Sequence, residues 1–244
     1  MIEALLPATA VAREAFDDSV PVTLFPEETA VVGNAVDKRR REFGTARRCA
    51  HEALAELGFP GVPVPSGARR EPRWPAGVVG SITHCAGYRA AVVARSADLT
   101  AVGIDAEPHE PLPSGVLNSI TVPDELTWLA ASRDSHPQVH WDRLLFCAKE
   151  AVYKAWYPLA ESWLGFEQAY VEATPGPGAA VAPGLGPAVA PGPGAAVDGD
   201  FTARLLVPGP ALPDGTPLTG FTGRWLARNG LIVAAISVPA GPDV

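Results

Sequence analysis

The strongest periodic pattern in the chain lies between residues 141 and 159. Apolar residues recur there at three- and four-residue steps, which predicts a helix with one apolar face. This face comprises Leu145, Ala148, Val152, Ala155 and Leu159. Arg143, Glu150 and Lys154 fall on roughly the opposite face. Because Glu150 and Lys154 are four residues apart, their side chains can form an ion pair, which is a common and weak feature of amphipathic helices.

A second helical pattern runs from Asp37 to Leu57, and Gly58 is a natural stop for it. Its apolar stripe comprises Phe43, Ala46, Ala50, Ala53 and Leu57. The other faces are more basic than solubility requires, and they carry Lys38, Arg39, Arg40, Arg41, Arg47 and Arg48. A loop follows at 58–76 and adds Arg69, Arg70 and Arg73. The pattern leaves two interpretations open, a solvated basic face or a site for a polyanion.

Short β-rich runs make up most of the remaining pattern. Residues 77–83 and 88–95 predict a hairpin, with Gly87 in the turn and His84 at its tip. His84 is as compatible with a structural hydrogen bond as with a functional role. A turn and a strand are predicted at 163–173, and further strands at 201–207, 221–229 and 231–238. Strand or loop is predicted at 5–12 and 21–25, and a short helix from Pro123. Asn229–Gly230 is a strong signal for a hairpin between the last two strands.

Two carboxylates lie close together on a predicted strand at 101–110, which Pro108 ends. Asp105 and Glu107 are two residues apart, so both side chains project from the same side of that strand. They are either two solvated acids at a strand end or ligands for a hard divalent cation. Mg²⁺ prefers oxygen ligands and commonly takes one or two carboxylates together with substrate phosphates.

The order of predicted elements describes two α+β halves of comparable size, residues 1–108 and 109–244, with the junction near 108–112. Sequence identity between the halves is not visible. The segment 174–199 consists mostly of Pro, Gly, Ala, Val and Leu, so we expect a low-complexity loop without chemistry there. A chain of 244 residues can bury a sizeable core.

Composition and charge exclude several classes of protein. The formal net charge of −8 argues against a general nucleic-acid binder. Three cysteines without CxxC spacing are typical of free thiols in a reducing cytosol. The start of the chain has neither a basic region nor a long apolar run. We therefore expect a cytoplasmic protein with no signal peptide and no membrane span.

The candidate chemistry of the two halves is complementary. Asp105, Glu107 and Glu150 suit a magnesium site, and the arginines and His84 of the first half suit a ligand with more than one phosphate. This combination predicts phosphoryl-type transfer, in which catalysis is mostly positioning and charge neutralisation. A metal-dependent phosphodiesterase or nuclease could use the same acids, but a nuclease would need a basic groove for a long backbone, which an acidic chain does not favour.

The runs VGIDAE at 102–107 and FCAKEAVYKAW at 146–156 resemble the paired signatures of the 4′-phosphopantetheinyl transferases. Residues 36–172 resemble the actinobacterial branch of the larger, monomeric type, which activates synthases of fatty acids, polyketides, nonribosomal peptides and siderophores. The resemblance implies an α+β fold of two similar α/β halves related by a pseudo-twofold axis. It also implies transfer of the phosphopantetheine arm of coenzyme A to a serine of apo carrier proteins, with release of 3′,5′-ADP.

The resemblance further implies roles for individual residues. The metal site is expected to comprise Asp105, Ala106 through its main chain, Glu107 and Glu150. It should hold Mg²⁺, for which Mn²⁺ can substitute. Glu150 is the candidate general base, and Lys154 and Lys149 would neutralise the pyrophosphate and the leaving nucleotide. Coenzyme A is expected to contact Asp105, Lys149, Glu150 and Lys154, and also Arg39, Arg47, Arg69, Arg70, Glu71, Pro72, Thr83 and His84.

Apo acyl, peptidyl and polyketide carrier proteins are the expected macromolecular partners. The resemblance implies a monomer that needs neither nucleic acid nor a membrane. A non-catalytic module that binds coenzyme A or carriers is the remaining alternative. The intact acidic set together with Lys154 argues against such a module.

Overall fold

The computed structural model of the chain describes residues 1–176 and 196–241. After a 3₁₀ turn at Ile2–Leu5, the first half contains β1 (Ala10–Ala15), α1 (Pro26–Val32), α2 (Asp37–Glu56), β2 (Val78–Cys85), β3 (Tyr88–Arg95) and β4 (Leu99–Pro108). The second half contains α3 (Val116–Ile120), α4 (Pro123–Ser135), α5 (Trp141–Ala160), a 3₁₀ turn (Phe166–Gln168), β5 (Ala169–Pro175), β6 (Val197–Leu205), β7 (Gly220–Arg228) and β8 (Leu231–Pro239).

The two long helices predicted from hydrophobic periodicity, α2 and α5, are confirmed. Each is 20 residues long and buries one apolar face. α2 packs on β3 and β1, and α5 packs on β4 and β8. Gly58, which follows α2, has a φ of +98°, as expected for a glycine that ends a helix. Within residues 1–176 and 196–241, no helix is long and apolar enough to cross a membrane.

The strands form two antiparallel sheets, ordered β1-β3-β2 and β4-β8-β7-β6-β5. The predicted α+β fold class is confirmed. The predicted turn between β7 and β8 is also confirmed, because Asn229 and Gly230 both have positive φ. β4 closes the first half in sequence but pairs with β8. The sequence halves 1–108 and 109–244 are therefore interlocked, since the last strand of the first half belongs to the larger sheet.

Some predicted boundaries are wrong. His84 does not lie at the hairpin tip, because β2 continues to Cys85 and His84 pairs with Arg89 of β3. The loop predicted at 174–199 is too long at both ends, since β5 reaches Pro175 and β6 begins at Val197. The alternating burial of β6 explains its early start. The rest of that segment, 177–195, lies outside the described residues. The short helices α1 and α3 were not predicted.

Two hydroxyl groups on β2 join the small sheet to β4 of the large sheet. Ser81 Oγ accepts a hydrogen bond from the Ile104 N–H at 3.1 Å, and Thr83 Oγ1 accepts one from the Ala106 N–H at 3.0 Å. Both hydroxyl-bearing residues are buried. Side chains thus satisfy two backbone donors of β4 that would otherwise be buried without partners. This contact fixes β2 beside β4 and joins the two sheets.

A buried glutamate anchors α1 in the first half. Glu28, the third residue of α1, is completely buried. Its carboxylate accepts hydrogen bonds from the N–H of Phe25 at 3.1 Å and of Val64 at 2.8 Å, and its Oε1 lies 2.7 Å from His51 Nε2 on α2. One carboxylate therefore ties together the start of α1, the middle of α2 and the loop that follows it.

The second half repeats this arrangement with Glu125, the third residue of α4. The Glu125 carboxylate accepts hydrogen bonds from the N–H of Val122 at 2.8 Å and of Val171 at 2.7 Å. Lys149 Nζ on α5 lies 2.8 Å from Glu125 Oε2. Both α1 and α4 begin with a proline. The third residue of each helix is a buried glutamate that pairs with a side chain of the long helix, α2 or α5. This repetition supports the pseudo-twofold relation between the halves.

We predict that Glu28→Ala destabilises the protein by about 3 kcal/mol, because it leaves His51 and the N–H groups of Phe25 and Val64 without their acceptor. Glu27→Ala, on the exposed side of the same helix, is the control and should change stability little. Unfolding in urea at neutral pH measures both. An equal effect of the two substitutions would contradict the anchoring role.

The effect of Glu28→Ala on stability should also depend on pH. Burial alone raises the pKa of Glu28, but the hydrogen bonds from His51 and Val64 together hold it below its ordinary value of 4.5. The ionised carboxylate therefore stabilises the fold above that value, and its contribution is lost as the pH falls through it toward the lowered pKa. The stability difference between the wild type and Glu28→Ala should shrink accordingly in acid.

Candidate active site

A cleft of about 1240 Å³ lies between the two halves. It is bounded by α2, by the loop before β2, by β2 and β4, and by α5. It brings together most of the side chains singled out in the sequence, namely Arg39, Arg47, Arg69, Arg70, Glu71, Pro72, Thr83, His84, Asp105, Glu107, Glu150 and Lys154. The cations of the first half thus face the carboxylates of β4 and α5 across one space.

Asp105 is tied to both β2 and α5. Its Oδ1 accepts a hydrogen bond from Thr83 Oγ1 at 3.0 Å and lies 2.7 Å from Lys154 Nζ. Its Oδ2 is buried and has no hydrogen-bond partner among the described residues. Lys154 therefore pairs with Asp105, and the four-residue pair with Glu150 that the helical pattern allows does not form in the described chain. Burial lowers the pKa of Lys154, but Asp105 more than offsets this, so the ammonium stays charged.

Glu107 is held by a residue to which the sequence assigned no role in the site. Arg143 Nη1 lies 2.8 Å from Glu107 Oε2. The same guanidinium donates to the carbonyls of Glu110 at 3.1 Å and Pro111 at 3.0 Å, so it is fixed on three sides. The available signal was that Arg143 shares a helix face with Glu150. Burial and the charge of Asp105 still raise the pKa of Glu107 despite this partner.

Glu150 projects from α5 into the cleft and is half-buried. Burial, followed by the charge of Asp105, raises its pKa, and Lys154 offsets only part of this. Three carboxylates therefore face two cations, Lys154 and Arg143, and one negative charge is left over. A divalent cation that prefers oxygen ligands would relieve this repulsion and give Asp105 Oδ2 a partner.

The donor set thus fits Mg²⁺ in chemistry and charge. Lys154 and Arg143 each engage one carboxylate oxygen of the set. In this arrangement, no three His, Cys, Asp or Glu side chains within residues 1–176 and 196–241 converge closely enough to form a ready-made metal site.

Arg47 supplies an uncompensated positive charge on the opposite wall. Its side chain is buried, with Nη2 donating to Ser66 Oγ at 3.0 Å and the guanidinium 4.4 Å from the centre of the Phe43 ring. No carboxylate lies within ion-pair distance of it in the part of the chain that the structure describes. Burial lowers the pKa of Arg47 to about 10, so it remains protonated at neutral pH. A buried cation of this kind suits a phosphate ligand.

Arg39 and His84 meet beside Arg47. Arg39 Nη1 lies 2.9 Å from His84 Nε2. Since a guanidinium can only donate, His84 must accept at Nε2 and is neutral, with its proton on Nδ1. Burial and the charge of Arg39 lower the pKa of His84, which agrees with the neutral form. His84 therefore orients a cation at the cleft wall.

The arginine-rich loop is folded by its own carboxylate. Glu71 Oε2 accepts a hydrogen bond from the Arg69 N–H at 2.9 Å, while the side chains of Arg69 and Arg70 are exposed. An isolated bridge between Ser66 and Pro72 closes the loop. The structure thus places the two arginines at the cleft mouth, with Glu71 shaping the loop that carries them.

Two predicted residues do not face this cleft. Lys149 is buried, and its ammonium is already paired with Glu125 and donates to the carbonyls of Ile120 at 2.7 Å and Phe166 at 2.8 Å. Its expected role in neutralising phosphates is wrong for this arrangement, because no donor is left free. Ala106 is completely buried, and its N–H is taken by Thr83.

Gly103 sets the distance between β4 and α5. A Cβ atom added to it would lie 2.1 Å from the Ala151 carbonyl oxygen and 2.7 Å from the Ala155 nitrogen, both in the helix backbone. Only glycine allows this approach, which places Lys154 on Asp105. Sequence reasoning did not single out Gly103, although an isolated glycine inside a strand pattern is a signal for close backbone contact.

Comparison with known protein families agrees with this geometry. The family model "4′-phosphopantetheinyl transferase N-terminal domain" matches residues 27–94, and "4′-phosphopantetheinyl transferase superfamily" matches residues 101–190. The two matched regions fall on the two sides of the cleft.

Individual proteins match nearly the whole chain. The 4′-phosphopantetheinyl transferase Svp of Streptomyces mobaraensis is 51% identical, over 99% of this chain and 91% of its own. Npt of Nocardia iowensis, with the same description, is 46% identical over 97% of this chain and 99% of its own. PptT of Mycobacterium tuberculosis, again a 4′-phosphopantetheinyl transferase, is 44% identical over 97% of each chain.

We predict that Gly103→Ala displaces α5 from β4, destabilises the protein by about 3 kcal/mol and lowers activity at least tenfold. Gly33→Ala is the matched control, because its added Cβ would meet no atom closer than 3.9 Å. Thermal unfolding measures the first effect, and the rate of mass gain of an apo carrier protein measures the second. Wild-type stability and activity in Gly103→Ala would show that the helix position is not critical.

Proposed function

The chain belongs to the 4′-phosphopantetheinyl transferase family, and from that premise we propose how the residues of its cleft carry out the reaction. The enzyme transfers the phosphopantetheine arm of coenzyme A to a serine of an apo carrier protein and releases 3′,5′-ADP. The main support for the proposed residue roles is that three carboxylates lie on one side of the cleft and Arg47, which is buried and has no carboxylate partner among the described residues, lies on the other.

Asp105, Glu107 and Glu150 are the side chains that would hold Mg²⁺, with Mn²⁺ as a substitute. The support for this is the leftover negative charge of the set and the partnerless Asp105 Oδ2. The bound ion would neutralise the pyrophosphate and the charge that develops on the leaving nucleotide. A main-chain contribution from Ala106 remains part of the proposal, through its carbonyl, because its N–H is already hydrogen-bonded to Thr83.

The cationic wall binds the nucleotide end of coenzyme A. Arg47 and Arg39 offer guanidinium groups within the cleft, and Arg69 and Arg70 offer two more at its mouth. Guanidinium groups bind phosphate oxygens with paired, directional hydrogen bonds, which suits a ligand carrying a pyrophosphate and a further phosphate. The reactive phosphorus then lies between this wall and the carboxylates.

Glu150 is the proposed general base. It has no hydrogen-bond partner among the described residues, and its pKa is raised, so it is a better proton acceptor than an exposed carboxylate. As the serine oxygen forms its bond to the β-phosphorus, the serine proton passes to Glu150, directly or through water. The bond from that phosphorus to the bridging oxygen breaks, and the electron pair leaves with 3′,5′-ADP. Lys154 places its positive charge beside these groups.

The proposed partners are apo acyl, peptidyl and polyketide carrier proteins. A single chain supplies both walls of the cleft, which supports a monomer as the working unit. Cys49, Cys85 and Cys147 are all free thiols, which supports the reducing cytoplasm as its location. The net charge of −8 disfavours nucleic acid as a partner.

The transferase assignment predicts a mass increase in the carrier. Purified protein, coenzyme A and Mg²⁺ should add one phosphopantetheine to an apo acyl carrier protein, as measured by intact-protein mass spectrometry. EDTA should abolish the reaction, and added Mg²⁺ or Mn²⁺ should restore it. A carrier variant with the target serine replaced by alanine is the control. Cleavage of coenzyme A without any gain in carrier mass would instead favour a phosphodiesterase.

The proposed base makes a separate prediction. Glu150→Gln keeps the size of the side chain but cannot accept the serine proton, so we expect kcat to fall about a hundredfold or more with coenzyme A binding retained. Calorimetry measures binding, and the carrier assay measures rate. Raising the Mg²⁺ concentration should not restore the rate. Full recovery at high Mg²⁺ would show that Glu150 acts only as a metal ligand.

A further inference from the structure

The neighbours of the Thr83 hydroxyl determine which hydrogen bond it donates and which it accepts. Thr83 is 1% exposed, and its Oγ1 accepts a hydrogen bond from the Ala106 N–H at 3.0 Å. Since a hydroxyl has one hydrogen to donate, that hydrogen goes to Asp105 Oδ1, also at 3.0 Å. The hydroxyl thus donates one hydrogen bond to β4 and accepts one from it. A side chain whose role was to contact the nucleotide would not need both of these bonds.

The bond from Thr83 determines how Asp105 presents its carboxylate. Oδ1 receives donors from two directions, Thr83 on β2 and Lys154 on α5. A further ligand at Oδ1 would have to displace one of these, whereas Oδ2 is without a partner. Two donors on one oxygen also prevent rotation of the carboxylate about its terminal bond. Thr83 therefore fixes the orientation of the group, with Oδ1 engaged by two donors and Oδ2 left without one.

We propose that Thr83 is a positioning residue for the metal ligand Asp105 and does not contact the nucleotide through its side chain. This inference rests on the proposed metal site. Residues that orient a metal ligand through a hydrogen bond commonly change metal affinity ten- to a hundredfold when they are removed. Thr83 should accordingly act on metal binding, and only through it on the rate.

The chain contains a matched control two residues away. Ser81 Oγ accepts a hydrogen bond from the Ile104 N–H at 3.1 Å, so it joins β2 to β4 as Thr83 does. Its hydroxyl makes no hydrogen bond to a carboxylate among the described residues. Removing either hydroxyl leaves one buried N–H of β4 without an acceptor, but only the loss of Thr83 also releases Asp105.

The experiment compares Thr83→Val, Thr83→Ser and Ser81→Ala with the full-length wild type. Mn²⁺ binding is measured by electron paramagnetic resonance, with and without coenzyme A. We expect Thr83→Val to bind Mn²⁺ at least about tenfold more weakly, and Thr83→Ser and Ser81→Ala to stay close to the wild type. Thr83→Val and Ser81→Ala should lose similar thermal stability, because each orphans one backbone donor. The KM for coenzyme A at saturating metal should not change in Thr83→Val.

Each alternative outcome is decisive. If the wild type does not bind Mn²⁺, the proposed metal site itself fails. If the wild type binds Mn²⁺ but Thr83→Val binds it equally well, or Ser81→Ala loses as much, the positioning role is overturned. A raised KM for coenzyme A with unchanged Mn²⁺ affinity would restore the nucleotide-contact role. Thr83→Ala removes the same hydroxyl without a branched side chain and replaces Thr83→Val if that variant does not fold.

Discussion

The structure depends on the carboxylate of Asp105, because three parts of the chain meet on it. Thr83 reaches it from the small sheet, Lys154 reaches it from α5, and Asp105 itself stands on β4 of the large sheet. A buried carboxylate is costly unless it is hydrogen-bonded and paired, so burial of this group relies on its contacts with Thr83 and Lys154. The contacts that join the two sheets and α5 are therefore also the contacts that arrange the active site.

This constraint explains why the interface contains small residues and hydroxyl groups. Gly103 lets α5 lie against β4, because backbone atoms of α5 occupy the space that a side chain at position 103 would need. Ser81 and Thr83 replace a backbone ladder between β2 and β4 with side-chain hydrogen bonds. Close-packed backbones leave little freedom for relative movement of the two halves. Small displacements in such an interface cost activity, since phosphoryl transfer relies on positioning.

Sequence reasoning could find the elements whose pattern is local. The helical period predicted α2 and α5, and the two-residue period of β4 predicted that Asp105 and Glu107 share one side. It could not find the partners of charged side chains. Lys154 could pair with Glu150 or with Asp105, and only the packing of α5 on β4 decides between them. Arg143 likewise lay within reach of several acids in the pattern, and the fold selects Glu107.

The case of Lys149 shows why neighbouring residues in a signature can have unrelated tasks. Lys149 on α5 and His51 on α2 each pair with the buried glutamate of a preceding short helix. The residues one and five positions after Lys149 are Glu150 and Lys154. The residues at the same distances after His51 on α2 are Glu52 and Glu56.

The two helices differ in what lies beneath those positions. In the first half, both glutamates form half-exposed surface pairs with arginines. The shared architecture therefore does not create the site, because only α5 lies over the strand that bears Asp105. The shared architecture does fix how α5 is rotated about its own axis. With Lys149 locked inward on Glu125, the next residue is turned by about 100° around the helix axis, and this turn directs Glu150 into the cleft.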